Sequence, residues 1–201
     1  MGVYSIKPHF QRLLAPVAHL LIRLRVHPTY INAAGLVISL IGSAAIFFSQ
    51  QYVWMLVYIP FMAFFRTACN ALDGMVARAL RTPHKEFGEV LNEFFDRISD
   101  AALFLGLTFA SFTTTWLGTL TTVAILLTSY LSILSKAAGG SRQYGGLMGK
   151  ADRMILLGLM AVMILMTRDY VWGDVLLWAV LLGTLITLAQ RYMITRKELV
   201  A

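Results

Sequence analysis

The chain has 201 residues, of which 58% are hydrophobic and 13% are charged, and its formal net charge is +7 at pH 7. Long apolar runs with little polar material between them exclude a water-soluble globular domain and place the chain among polytopic membrane proteins. The basic residues are scattered between these runs without an aromatic-basic motif. Nucleic acid is therefore excluded as a partner, and anionic membrane lipids are expected instead.

The N-terminal stretch from Ile6 to Val26 has apolar residues at three- and four-residue spacing, with Lys and Arg between them. This pattern predicts an amphipathic helix that lies on the membrane surface. Six apolar runs follow, and each is expected to cross the membrane because a spanning helix needs about 20 mostly apolar residues. The predicted spans are Tyr30–Phe48, Tyr52–Leu72, Phe94–Phe112, Thr115–Leu134, Met154–Thr167 and Val171–Gln190.

The predicted fold class is therefore an all-α integral membrane protein with six transmembrane helices preceded by an N-terminal amphipathic interfacial helix. Residues 1–201 are expected to form a single domain, with the juxtamembrane helix in 1–27 and the six-span bundle in 28–201. Lys and Arg concentrate in the N-terminal stretch, in the loops after the second and fourth spans, and at the C-terminal end. The positive-inside rule then places both termini in the cytoplasm. A compact chain of this kind is typical of a bacterial inner membrane, which is the expected location.

The stretch from Asn70 to Asp100 holds six of the ten carboxylates of the chain. Asp96 and Asp100 follow Asn92 at four-residue steps, and Asn70 and Asp73 lie three residues apart, so each set occupies one face of a helix. If the two helices are antiparallel, the two faces meet. Ionisable residues at membrane depth indicate function, and an all-oxygen ligand set suits Mg²⁺ or Mn²⁺. The candidate metal ligands are Asn70, Asp73, Asn92, Asp96 and Asp100.

The segment from Leu72 to Arg78, followed by Gly88 and polar residues at four-residue steps, resembles the signature of the CDP-alcohol phosphotransferase family. That signature is D-x2-D-G-x2-A-R, about eight residues, then G-x3-D-x3-D. The likeness covers nearly the whole chain, because that family is also a six-span bundle with a preceding amphipathic helix. The resemblance assigns the binding of a CDP-lipid to Asp73, Gly74, Ala77, Arg78 and Gly88.

The resemblance also implies a reaction. Two Mg²⁺ or Mn²⁺ ions, held by the aspartates, bind the pyrophosphate of a CDP-linked lipid such as CDP-diacylglycerol. The last aspartate takes a proton from an acceptor alcohol, which attacks the phosphate next to the lipid, and CMP leaves. The family further implies a homodimer.

The chain departs from the signature at several positions. Asn70 and Asn92 stand where two aspartates are expected, nine residues separate Arg78 from Gly88, and Asp100 is additional. In one hypothesis the site has shifted by one turn, so that Asp73, Asp96 and Asp100 carry the metal charge and Asp96 or Asp100 is the catalytic base. In the other, the site binds metal weakly and its chemistry has been lost or changed. The spacing leaves both hypotheses open.

A second polar segment, from Ser135 to Arg153, combines five glycines with basic residues. Glycines let backbone amides approach a phosphate, and arginine offers it paired donors. Relatives whose acceptor is a phosphorylated alcohol keep basic residues near this place, so the resemblance implies that Arg142, Lys150 and Arg153 bind an acceptor phosphate. The alternative is that these are ordinary positive-inside charges that contact anionic lipids.

The sequence thus predicts a membrane transferase that moves a phosphatidyl group from CDP-diacylglycerol, or a similar CDP-lipid, to an alcohol acceptor such as a phosphorylated polyol, with release of CMP. Two alternatives remain. A catalytically inactive protein that binds CDP-lipid or metal is suggested by the two asparagines. A small ion transporter would also carry acids at membrane depth, but it predicts a pseudo-repeat or broken helices, and the sequence shows neither.

Overall fold

The structure, a computed structural model, describes residues 7–80 and 85–200. The described residues form seven α-helices, with a short 3-10 helix at Val53–Val57. The helices are α1 (Lys7–Arg23), α2 (Pro28–Phe48), α3 (Tyr58–Leu80), α4 (Lys85–Thr108), α5 (Thr115–Ala137), α6 (Lys150–Thr167) and α7 (Trp172–Val200). Four helical segments within the described residues are long and apolar enough to cross a membrane, namely Pro28–Phe48, Val53–Leu80, Thr115–Ala137 and Trp172–Val200.

Several helices extend beyond the predicted apolar spans. The prediction that the second span ends near Leu72 is wrong for the helix, because α3 continues to Leu80; α7 likewise continues past Gln190 to Val200. Conversely, α4 and α6 begin in polar sequence before their apolar parts. Apolar runs mark only the part of a helix that meets a hydrophobic environment, whereas backbone hydrogen bonding continues into the polar turns. The predicted amphipathic helix is present as α1, which ends at Arg23, while Ile6 lies outside the described residues.

Local capping explains where two of the helices begin. His27 accepts a hydrogen bond from the backbone N–H of Thr29 at 3.3 Å, and Pro28 occupies the first turn of α2, where its missing N–H costs nothing. At the start of α6 the Asp152 carboxylate accepts a hydrogen bond from the backbone N–H of Gly149 at 2.8 Å. Each cap satisfies a backbone donor that the first helical turn leaves without a partner. Both of these helix starts lie at the same end of the molecule.

Six helices form a closed ring in the order α2, α4, α5, α7, α6 and α3, in which each helix packs on the next and α3 packs back on α2. The ring encloses an apolar core that includes Met62, Phe104, Leu107 and Leu157. Helix α1 lies outside the ring against α3, where its buried side chains contact those of α3. That contact buries Leu14, Ala18, Ala68, Leu72 and Val76. The outer surface of the ring carries large exposed apolar side chains, as expected for helices that face lipid.

Five hydroxyl groups on α5 are satisfied within the helix itself. Each donates a hydrogen bond of 2.8 to 3.1 Å to the carbonyl oxygen four residues earlier. The residues are Thr121, Thr122, Thr128, Ser129 and Ser132. Because these groups have partners, α5 places polar side chains inside the ring at little desolvation cost.

Candidate active site

A cavity of about 770 Å³ opens at one end of the helical ring. Its walls come from the last turns of α3, α5 and α7, from the first turns of α2, α4 and α6, and from the loop between α5 and α6. A volume of this size is typical of a site for a small-molecule ligand. Ten of the residues that the sequence nominates line it. They are Asn70, Asp73, Gly74, Ala77, Gly88, Asn92, Asp96, Arg142, Lys150 and Arg153.

The α3 wall presents Asn70 and Asp73. The Asp73 carboxylate is mostly buried, with 7% of the residue exposed. It accepts a hydrogen bond from the backbone N–H of Gly74, and the side chain of Asn32 on α2 lies close to it. Arg78, nominated from the signature, is exposed, and its guanidinium lies back along the helix near Gly74. The α3 wall therefore offers one carboxylate and one amide to the cavity.

The α4 wall presents Asn92 and Asp96 opposite them. Lys150, on the first turn of α6, donates a hydrogen bond from its ammonium to the Asp96 carboxylate. The guanidinium of Arg66 lies 4.0 Å from the same carboxylate. The charges of Asp73 and Asp96 are near enough to interact with each other and with Lys150. Two of the three carboxylates and both amides that the sequence placed on facing helices thus meet in one cavity.

Asp100 has different surroundings, one turn further into the bundle. It is fully buried, and the described residues that line the cavity do not include it. One carboxylate oxygen lies 3.1 Å from the guanidinium of Arg66 on α3, and the other lies 2.7 Å from that of Arg153 on α6. A buried charge is tolerated only when other charges and hydrogen bonds compensate it. Both oxygens of Asp100 are engaged in this way, so the residue ties three helices together.

The acids of α4 form a regular series of ion pairs, here called the charge ladder. Its four acids lie on one face of α4 because their spacing follows the helical repeat. Each meets a basic residue from α5, from the following loop or from α6. In order from the mouth of the cavity inward, the pairs are Glu89 with Lys136, Glu93 with Arg142, Asp96 with Lys150, and Asp100 with Arg153. Basic residues that looked like scattered loop charges therefore lie in register with the acids of α4.

Sequence reasoning missed several cavity residues. Arg191 on α7 lines the cavity and donates hydrogen bonds to the Ser132 hydroxyl at 2.7 Å and to the Gly145 carbonyl at 2.9 Å. The sequence pattern around Arg191 did not indicate a site residue, because Arg191 follows the predicted end of the last span and resembles the other positive-inside charges. Asn32 also lines the cavity. It lies one turn into α2, and only its contact with Asp73 distinguishes it from an ordinary polar helix residue.

The fold and the site together define a helical membrane protein with a polar, charged cavity at one end of its bundle. Residues 25–194 match the sequence profile of the CDP-alcohol phosphatidyltransferase family, and the chain belongs to this family. It is accordingly a transferase of substituted phosphate groups.

Curated relatives span nearly the whole chain. The inner membrane protein YnbA of Escherichia coli is 34% identical over 180 residues, which cover 90% of this chain and 89% of the relative. The phosphatidylinositol phosphate synthase of Corynebacterium glutamicum is 30% identical and covers 98% of this chain and 90% of its own. Among solved structures, the phosphatidylinositol phosphate synthase of Mycobacterium tuberculosis with CDP-DAG bound superposes with a TM-score of 0.75 at 25% identity, over 92% of this chain and 94% of the other.

Enzymes of this family use a divalent metal such as Mg²⁺ or Mn²⁺. Within the described residues, three or more His, Cys, Asp or Glu side chains do not gather at any point where they could hold a metal ion. The cavity instead offers the carboxylates of Asp73 and Asp96 with the amide oxygens of Asn70 and Asn92. Hard cations accept amide oxygens as well as carboxylates. The donor set therefore fits Mg²⁺ or Mn²⁺, with fewer charges than four carboxylates would supply.

Proposed function

We propose that this enzyme transfers a phosphatidyl group from CDP-diacylglycerol to an alcohol acceptor that itself carries a phosphate, and releases CMP. The observation that carries the proposal is the composition of the cavity. One part holds the carboxylates Asp73 and Asp96, and the part next to it holds the basic side chains Arg142, Lys150 and Arg153. A phosphate on the acceptor would add a second anionic partner for these side chains beside the acids of α4. The name of the relative from Corynebacterium glutamicum, a phosphatidylinositol phosphate synthase, agrees with such an acceptor.

The donor binds along α3 and the start of α4 in this proposal. Gly74 and Ala77 are small, and the space around Gly88 is open, because a Cβ atom there would meet nothing within 4 Å. Small residues let a ligand approach the helix backbone. Asp73, Asn70 and Asn92 hold a divalent cation, and Arg78 offers a positive charge to the nucleotide end. When bound, the cation supplies Lewis-acid stabilisation of the pyrophosphate and helps to orient it.

Asp96 is the proposed catalytic base. It lines the cavity, whereas both oxygens of the other candidate, Asp100, are engaged by arginines. Asp96 accepts the proton of the acceptor hydroxyl as that oxygen forms a bond to the phosphorus next to the lipid. The bond from this phosphorus to the CMP oxygen breaks, and CMP leaves with the electron pair. Lys150, whose ammonium donates a hydrogen bond to Asp96, holds this carboxylate at the cavity wall.

The acceptor phosphate is proposed to bind Arg142, Lys150 and Arg153. Arginine suits this purpose because its planar guanidinium can donate two parallel hydrogen bonds to one phosphate. Arg142 also stacks over the ring of Tyr144, with 4.5 Å between the guanidinium carbon and the ring centroid. This contact and the ion pair with Glu93 hold the Arg142 side chain at the rim of the cavity.

In the membrane, helices α2 to α7 are proposed to form six spans of one domain, with α1 at the interface. The support is architectural: α4 and α6 occupy places in the ring between the four clearly apolar segments. Six antiparallel spans bring both ends of the chain to one side, and the basic loops assign that side to the cytoplasm. A bacterial inner membrane fits the name of the Escherichia coli relative. A homodimer remains a proposal from the family resemblance.

The proposal is tested by CMP release from CDP-diacylglycerol by the purified protein with Mn²⁺ or Mg²⁺. The acceptors are glycerol phosphate, inositol phosphate and the corresponding free polyols. We expect metal-dependent release with a phosphorylated acceptor only. Asp96→Asn should lower the rate by about 10² to 10⁴, the usual contribution of a general base, while CDP-diacylglycerol still binds. Equal rates with free and phosphorylated polyols would contradict the assignment of the basic residues.

A second candidate function is binding of a CDP-lipid without catalysis. The contact of Lys150 with Asp96 and the two asparagines favour it, because they reduce the negative charge available for metal. The same experiment separates the two. CDP-diacylglycerol that binds while no acceptor in the panel releases CMP would establish the second function.

A further inference from the structure

The loop between α5 and α6, residues 138–149, brings side chains to the cavity although residues 141–149 form neither helix nor strand. Arg142, Gln143 and Tyr144 all line the cavity. A backbone without helix or strand pairing needs other partners for its donors and acceptors, and ordering it costs conformational entropy. The contacts that hold this loop therefore decide where Arg142 lies, and that residue belongs to the proposed acceptor-phosphate site.

The C-terminal part of α7 holds the half of the loop that leads into α6. Three α7 side chains, which lie on one helix face because they are three or four residues apart, pair with backbone groups of the loop. Thr187 accepts a hydrogen bond from the Met148 N–H at 2.8 Å, Gln190 accepts one from the Leu147 N–H at 3.1 Å, and Arg191 donates one to the Gly145 carbonyl at 2.9 Å.

Glu198, two turns further along α7, holds the first half of the loop. Its carboxylate accepts hydrogen bonds from the backbone N–H of Ser141 at 3.0 Å and from the Ser141 hydroxyl at 2.7 Å. The side-chain amide of Gln143 donates a third, at 3.1 Å. Hydrogen bonds to an ionised acceptor are stronger than neutral ones. Ser141 and Gln143 are the two neighbours of Arg142 in the chain, so one carboxylate fixes the backbone on both sides of this arginine.

The Arg142 side chain itself has other partners. Its guanidinium pairs with Glu93 on α4 and stacks over the ring of Tyr144. Tyr144 belongs to the same loop and moves with it, so the stacking does not fix the backbone that carries Arg142. Glu198 is exposed and is not among the described residues that line the cavity. It therefore acts on a ligand in the cavity only through the loop.

We propose that Glu198 is a positioning residue for the acceptor: its carboxylate holds Ser141 and Gln143 and thereby sets the place of Arg142 in the acceptor-phosphate part of the cavity. The inference rests on the proposed function and deepens it. Without the Glu198 carboxylate the first half of the loop loses three hydrogen bonds. The binding of an acceptor phosphate then includes the cost of ordering Arg142.

The first test measures the loop without any substrate, by hydrogen exchange and mass spectrometry of residues 138–149 in the purified full-length protein in detergent. In Glu198→Gln the charge is lost, and an NH₂ group that only donates replaces one acceptor oxygen. We expect faster exchange in the loop of this variant. The matched control is Glu86→Gln, the same substitution at an exposed acid outside the cavity lining. Its loop should exchange like that of the unaltered protein.

The second test measures the acceptor, with glycerol phosphate and inositol phosphate as probes. In the CMP-release assay we expect Glu198→Gln to raise the KM for the phosphorylated acceptor about three- to tenfold, the net value of one hydrogen bond. The kcat and the affinity for CDP-diacylglycerol should stay unchanged. Isothermal titration calorimetry with the same two compounds should show a Kd raised by a similar factor.

Three results would overturn the inference. One is loop exchange in Glu198→Gln equal to that of the unaltered protein. Another is faster exchange with KM and Kd unchanged, which would make Glu198 a purely structural contact. The third is a loss that falls on kcat or on CDP-diacylglycerol binding instead. If no acceptor releases CMP, the proposed transfer fails and the Kd values decide the inference; no binding of either compound would then overturn it as well.

Discussion

Asp96 and Asp100 lie one helical turn apart on α4, yet their surroundings differ. Asp96 lines the cavity and is partly exposed, with 15% of its side chain accessible, whereas Asp100 is fully buried between Arg66 and Arg153. Removing the charge of Asp96 leaves Lys150 near a cavity that solvent can enter. Removing the charge of Asp100 leaves two guanidinium groups in the interior without their carboxylate. The two substitutions should therefore have different consequences.

We expect Asp100→Asn to destabilise the protein strongly, because breaking a buried ion pair from one side typically costs about 3–5 kcal/mol. The measurement is the midpoint of thermal unfolding in detergent, monitored by circular dichroism. Asp96→Asn is the matched control, since it removes the same charge one turn away, and its midpoint should stay near that of the unaltered protein. A midpoint for Asp100→Asn that equals the control would show that the two arginines do not depend on Asp100.

The sequence could not separate the two aspartates. It places both at four-residue steps from Asn92, and that spacing carries no information about partners. The arginines that engage Asp100 are 34 and 53 residues away along the chain. Their contact depends on how α3, α4 and α6 pack. By contrast, the cavity positions of Asp73, Gly74, Ala77 and Gly88 were predictable, because they belong to one continuous signature on two helices that are consecutive along the chain.

Close packing of α2 against α4 depends on a glycine. A Cβ atom at Gly106 would lie 2.7 Å from the carbonyl oxygen of Ser43 and 3.1 Å from its Cα. These are backbone atoms of α2, which cannot move aside cheaply. Gly88 lies on the same helix, where a Cβ atom would meet nothing within 4 Å. The two glycines of α4 therefore offer a matched comparison.

We expect Gly106→Ala to lower the free energy of unfolding by about 1–3 kcal/mol, the usual cost of overpacking. Gly88→Ala should raise it by as much as about 1 kcal/mol, since alanine favours a helix over glycine. Both values come from thermal unfolding in detergent. If the Gly88 position lies against CDP-diacylglycerol, Gly88→Ala should also weaken binding of that lipid while stability rises. Equal destabilisation by both substitutions would contradict the packing explanation.

The charge ladder is the element that fixes α4 against α5 and α6. Its pairs differ in burial along the helix. Lys136 and Glu89 are exposed at the mouth, with 52% and 40% of their side chains accessible, whereas Arg153 and Asp100 are at 5% and 0%. Solvent screens an exposed pair, and a buried pair is screened little. The ladder should therefore stabilise the structure unevenly.

Double-mutant cycles on the two end pairs measure this gradient. For Glu89→Gln with Lys136→Met we expect a coupling energy of about 0–1 kcal/mol, which 0.5 M salt removes. For Asp100→Asn with Arg153→Met we expect a coupling energy at the upper part of the usual range of about 0.5–3 kcal/mol, with little salt dependence. The outer pair is the control for the inner one. Equal coupling energies at both ends would mean that the depth of the pair does not matter.

The extent of the elements was partly predictable. All six apolar runs correspond to helices, because hydrophobic length is a strong signal. Their polar ends were not predictable, since α3, α4, α6 and α7 each continue into charged sequence where apolarity no longer marks the helix. Those polar ends form the cavity. The charge ladder was not predicted, because the basic partners of the α4 acids come from elements whose register only the fold determines.

At the scale of the whole molecule, the ring of six helices separates two chemically different ends. The cavity, the charge ladder and the basic loop between α5 and α6 lie at one end. At the other end, the Asp174 carboxylate accepts hydrogen bonds from the backbone N–H and the hydroxyl of Thr114, at 2.8 and 2.6 Å, which joins the starts of α5 and α7. This asymmetry predicts that the cavity end faces the cytoplasm, because basic loops are retained on that side.

Single cysteines test that orientation, and the chain is suited to the experiment because Cys69 is its only cysteine. In a Cys69→Ser background we expect Gln51→Cys, at the far end, to react with a membrane-impermeant maleimide in intact cells. Ala138→Cys, at the cavity end, and Val200→Cys, at the end of α7, should react only after the cells are permeabilised. The Cys69→Ser protein without a new cysteine is the control for unspecific labelling. All three introduced positions are exposed in the structure, so a failure to react reports the membrane and not burial.

Labelling of Ala138→Cys in intact cells, with Gln51→Cys protected, would reverse the orientation. Labelling of Gln51→Cys and Val200→Cys together would instead mean an odd number of spans, because α2 to α7 would then not return the chain to the side where it began.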